Sequence, residues 1–198
     1  MMRNPSKSLP RSARLFAAQR LARLCALSLL ALSASQQLMA HAVLDPGVGT
    51  AGSYFKAVVR VGHGCDGSST KQILVQIPKG FQGAKPQPKQ GWKVTIQKAK
   101  LDEPYSSHGR LITEDVVELA WEALGPEFYL LDSHFDEFAF TLRLPGQPGF
   151  HWVNVIQRCE VGEMRWTQRP ESGTSTKGLK TPAARLEIRA PAASSHTH

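Results

Sequence analysis

The stretch "YFKAVVRVG", residues 54–62, sets the reading of the whole chain. Charged Lys56 and Arg60 fall between apolar residues, the period of a strand buried on one face and wet on the other. Alternating or apolar runs of similar length follow: "KQILVQIP" (71–78), "WKVTIQKAKL" (92–101), "DVVELAWEAL" (115–124), "EFAFTLRLP" (137–145), "FHWVNVIQRC" (150–159), "EMRWTQ" (163–168) and "ARLEIRA" (184–190). Gly, Pro and Asp punctuate them in "DPGVGTAG" (45–52), "PKGFQGAKPQPKQG" (78–91) and "LPGQPG" (144–149). About eight strands at this spacing predict an all-β chain, a two-sheet immunoglobulin-like β-sandwich. The apolar spacing of "DVVELAWEAL" fits a helix as well as a strand. "PESGTSTKGLKTPAA" (170–184) reads as a polar loop before the last strand, and residues 191–198, "PAASSHTH", as a disordered tail.

The formal charge of +8 invites a nucleic-acid or anionic-membrane partner, but its distribution argues otherwise. Residues 1–40 hold Arg3, Lys7, Arg11, Arg14, Arg20 and Arg23 and no acid; without these six, 18 bases face 16 acids, a net +2. No block of like charge or basic stripe with aromatics remains, so no nucleic-acid partner is expected. The basic leader, the apolar "LCALSLLALSA" and the small Ala40 have the build of a signal peptide over residues 1–40. Its apolar run is too short to span a bilayer, which leaves no transmembrane segment after processing. The expected location is the periplasm or another exported compartment, and the folded domain is expected over residues 41–190.

Cys25 leaves with the leader, and the exported chain keeps Cys65 and Cys159. An even pair in an oxidising compartment reads as a disulfide. Two free thiols, or a thiolate copper site, are the alternatives.

Cleavage after Ala40 would make His41 the amino terminus. Its free α-amine and its ring Nδ1 could then chelate one metal ion, which no internal histidine can do. A nitrogen-rich tetragonal set suits Cu(II).

"HAVLDPGVGTAGS" (41–53), "RVGHGC" (60–65), "IPKG" (77–80), "KPQPKQGWKV" (85–94) and "VGEMRW" (161–166) occur in this order. Over residues 41–169 the chain resembles the YcnI-like copper-binding family of exported bacterial β-sandwich domains. The resemblance implies copper held by an amino-terminal histidine brace, helped by a glutamate and close to a tryptophan. The histidine corresponds to His41 and the tryptophan to Trp166. The glutamate has no counterpart: where many members read Arg-Val-Pro-x-Glu, this chain reads Arg60-Val61-Gly62-His63-Gly64. His63 is the expected replacement, the other reading being a surface histidine in a glycine-flanked turn. Trp166 without the resemblance would be an ordinary core indole. If Cys65 pairs with Cys159, the crosslink ties the His63 turn to the hairpin that leads to Trp166.

His134, Asp136 and Glu137 in "SHFDEFAF" (133–140) form a reserve of ligands, with alternation expected to put His134 and Asp136 on one face and Glu137 on the other. His196 and His198 in the tail would hold metal loosely. The function expected is copper homeostasis: an exported copper-binding protein that stores, buffers or delivers Cu(II). Its implied partners are the copper ion and a donor or acceptor such as another periplasmic copper chaperone or a membrane copper transporter. A copper-dependent oxidative enzyme with a histidine-brace site and a metal-free immunoglobulin-like interaction module are the alternatives. No general-acid or nucleophile constellation favours an enzyme.

Overall fold

Every alternating run of the sequence becomes a strand. The computed structural model describes residues 42–192. Contacts divide the chain into units Met1–Leu38 and Met39–His198, and the described residues belong to the second. The leader expected over residues 1–40, Cys25, His41 and the tail histidines His196 and His198 lie outside the described residues.

The strands are β1 (Val43–Asp45), β2 (Val48–Thr50), β3 (Tyr54–Val61), β4 (Thr70–Gln76), β5 (Gln82–Pro86), β6 (Trp92–Ser107), β7 (Arg110–Ala123), β8 (Asp136–Arg143), β9 (Gly149–Cys159), β10 (Glu163–Trp166) and β11 (Ala184–Arg189). One sheet has the order β1-β3-β8-β5 and the other β2-β11-β9-β4-β7-β6. Strands β10 and β11 lie end to end along β9: β10 pairs with Val155–Arg158 and β11 with Gly149–Val153.

The expected alternation fills the core. Phe55, Ala57, Val59 and Val61 of β3 are buried with Phe138, Phe140 and Leu142 of β8 and with inward residues of β4, β7 and β9. Phe138 packs its ring edge-to-face on Trp92, at 5.1 Å between centroids, and on Trp121, at 5.8 Å, an arrangement that suits the ring quadrupole. The ambiguous "DVVELAWEAL" is a strand because β4 and β6 flank it and use its backbone on both edges. Leu119 and Trp121 then enter the core, while Ala120 joins Leu74 and Ile156 in a small apolar cluster.

Three features depart from the expected pattern. Strands β2 and β5 lie inside stretches read as punctuation, each a short strand rich in Gly or Pro. The β6–β7 hairpin runs further than its apolar part, to a tight turn with His108 (φ 47°) and Gly109 (φ 73°) in the left-handed region. Its outer half is mostly exposed, so a ladder of backbone bonds forms it without apolar alternation. A buried carboxylate anchors it: Asp115 Oδ2 accepts from Tyr105 Oη at 2.6 Å and from the Gly83 amide at 2.8 Å. Burial, followed by this hydrogen bond and the carboxylate's charge, pushes the Tyr105 phenol up to about 12. The stretch 170–182 carries no strand, as expected.

His151, half-buried on β9, packs edge-to-face on Phe81 at 5.2 Å. Burial lowers its pKa below 6.5, so the folded chain takes up this proton less readily than the unfolded chain. Stability from this group is therefore intact above pH 6.5 and falls as the pH drops below it. Urea denaturation at stepped pH checks this: the loss between pH 6.5 and 5 should shrink in His151→Leu.

Candidate metal centre

Strand β3 ends at Val61 and the chain turns through Gly62, His63 and Gly64 into Cys65. Cys65 and Ser68 exchange two backbone bonds of 2.9 Å around Asp66 (φ 49°) and Gly67 (φ 86°), a tight hairpin. Gly64 is required by space: a Cβ there would lie 1.9 Å from the Ser68 carbonyl oxygen. The Gly64 amide donates to Asp132 Oδ1 at 2.9 Å. Cys65 is disulfide-bonded to Cys159 at the end of β9, so the two free thiols and the thiolate ligand considered from the sequence are set aside.

Gln157 lies two residues before Cys159 and, by strand parity, points into the sandwich; it is 1% exposed. Its Nε2 donates to the His63 carbonyl at 2.6 Å and to Thr70 Oγ1 at 2.7 Å. Its Oε1 accepts the Trp166 indole N–H at 3.1 Å. One buried amide therefore holds both the His63 backbone and the Trp166 ring.

Trp166, opposite Val155 on β10, is 1% exposed. Its ring meets that of half-buried His63 edge-on, with centroids 6.1 Å apart. The core and site readings of Trp166 thus describe the same position. His63 Nδ1 lies 2.5 Å from the Gly64 carbonyl oxygen. A carbonyl can only accept, so Nδ1 donates in this contact and Nε2 takes no part in it.

The reserve carboxylates reach the same end, since β8 pairs Asp136 with Val61 and Glu137 with Arg60, but each is already paired with a base. Asp136 binds Lys89 at 2.7 Å and Glu137 binds Arg60 at 3.5 Å. His134 is exposed and precedes β8, so it does not alternate with Asp136 as expected. Among the described residues no three His, Cys, Asp or Glu gather into a metal-holding group; a site here requires a donor from outside them.

Gln157, Thr70 and Asp132 were not singled out in the sequence. Gln157 did leave a signal: it is a polar residue on the inward parity of Val153, Val155 and Cys159. Gln157→Leu should cost about 2–4 kcal/mol by stranding buried polar groups, seen in thermal unfolding as a drop of roughly 5–15 °C. A double Cys65→Ser, Cys159→Ser chain should lose about 4–5 kcal/mol in denaturant titration, the loop-entropy value for a crosslink spanning 94 residues.

Comparison with known proteins follows the fold. A search of curated proteins finds no match. The chain is similar in structure to an uncharacterized protein from Nocardia farcinica, whose crystal structure reveals an immunoglobulin-like fold. The TM-score is 0.58 at 20% identity, over 75% of this chain and 97% of that one. This likeness establishes the immunoglobulin-like sandwich. A family model described as "Domain of unknown function (DUF1775)" matches residues 41–188, well over half of the chain. This chain therefore belongs to the DUF1775 family.

Proposed function

We propose that the chain is an exported copper-binding protein of the YcnI-like kind, which takes Cu(II) at its processed amino terminus for storage, buffering or delivery. The donors are the His41 α-amine, the His41 Nδ1 and the His63 Nε2, with the Trp166 indole beside them. The observation that carries this reading is the register of the first strand. Val43 pairs with Arg60 and Leu44 with Val59. Continued one step back, that register aligns Ala42 with Val61, two residues before His63. The contact of the His63 ring with Trp166 supports the same site.

The chemistry of the set follows from its donors. Two imidazoles and an amine are neutral nitrogens, so a complex with His63 carries one negative charge less than a glutamate-bearing one. Cu(I) is then less disfavoured, because less negative charge is present to hold the higher oxidation state. Export is supported by the leader-like residues 1–40 and by the disulfide. Delivery to a copper chaperone or a membrane copper transporter belongs to the same proposal.

Intact mass and Cu(II) paramagnetic resonance on the exported chain test it. The mass should start at His41, and the spectrum should show coordination by several nitrogens. One alanine added before His41 should weaken Cu(II) binding more than a hundredfold, beyond the roughly 10–100-fold cost of losing an outer-shell partner. His63→Ala should remove one nitrogen from the spectrum. Unchanged affinity in the extended chain would overturn the brace, and no Cu(II) binding by the processed chain would return the protein to a metal-free interaction module.

A further inference from the structure

A cavity of about 640 Å³ opens between the start of β1, the start of β11 and the loop before β11. It lies within the size range of sites for small molecules. Two cationic side chains, Lys177 and Arg185, line it together with the hydroxyl-bearing Thr174, Ser175 and Thr176, and among the described residues no carboxylate does. Buried Leu44, Ala183 and Ala184 add apolar wall.

The cationic wall is ordered. Arg185 donates from Nη1 to the Thr174 carbonyl at 3.2 Å, and its guanidinium lies over the Phe150 ring at 5.5 Å. These contacts hold the loop against β11 and fix the guanidinium at the cavity edge. The Ser175 hydroxyl oxygen accepts the Lys177 amide at 3.3 Å, which leaves its own hydrogen to donate. The acid two residues along the strand, Glu187, is held by Arg189 through bonds of 2.7 and 3.1 Å. A concave wall with this charge raises the local concentration of anions.

We infer that this cavity binds a small organic anion, a carboxylate or phosphate group on a short body, through Lys177, Arg185 and the hydroxyls of residues 174–176. The anionic group meets the ammonium and guanidinium, whose charge-assisted bonds are the stronger kind. The body lies on the apolar wall. Ala42, the residue after His41, lines the cavity, but the inference needs no metal.

Titration of the isotope-labelled, copper-free full chain with citrate, glycerol phosphate and inorganic phosphate, followed by backbone amide NMR, tests the inference. Saturable shifts confined to residues 42–44, 174–179 and 185 are expected, and the anion that saturates first names the class. Lys177→Glu and Arg185→Gln should each weaken binding roughly tenfold, the loss of one charge-assisted hydrogen bond, while the rest of their spectra shows that both fold. No saturable shift with any of the three anions, or binding unchanged in both variants, would overturn the site.

Discussion

The bond between Cys65 and Cys159 holds one end of the sandwich shut. Elsewhere the two sheets meet through apolar packing, which is strong in sum but carries no direction. The turn after β3 has no long ladder to keep it in place; it is a short hairpin on a glycine-rich bend. The crosslink fixes that bend to the end of β9, two residues from Gln157. The contacts among His63, Gln157 and Trp166 are made inside this closed end.

Gln157 supplies the direction that packing lacks. A buried amide must place its donors and acceptor, because unmade bonds in a dry interior are costly. Its bonds to the His63 carbonyl, the Thr70 hydroxyl and the Trp166 indole tie β9, the turn and β10 into one arrangement. The histidine ring is oriented from the other side by the Gly64 carbonyl. A half-buried imidazole held at both its backbone and its ring against an aromatic wall is a different object from a mobile surface histidine.

Charge is organised unevenly over a body that is close to neutral. Asp136, Glu137 and Glu163 are each matched by a nearby base. Near the His63 end, Asp136 and Glu137 are thereby engaged by bases, while Asp132 accepts the Gly64 amide. The cavity beside β1 has the opposite character, with two cations and no acid among the described residues of its lining.

Much of the fold was legible because alternation is a local property: "YFKAVVRVG" and "EFAFTLRLP" show which face is buried whatever they pair with. Outside the leader-like residues 1–40 the sequence has only Cys65 and Cys159, and with one pair there is only one partner to find. Strands β2 and β5 were not legible, because Gly and Pro hide a short strand whose only support is a neighbour's backbone. The solvated half of the β6–β7 hairpin was hidden because it buries little. His63 and Trp166 could be named from the sequence, but their 6.1 Å contact depends on residues 63, 65, 157, 159 and 166 meeting through the ladder of β9 with β10 and the crosslink. The sequence by itself determined which residues face inward, because that follows from strand periodicity. Only the tertiary structure decided that a glutamine joins the histidine to the indole and that a polar loop closes over the first strand, because both are contacts between segments far apart in the chain.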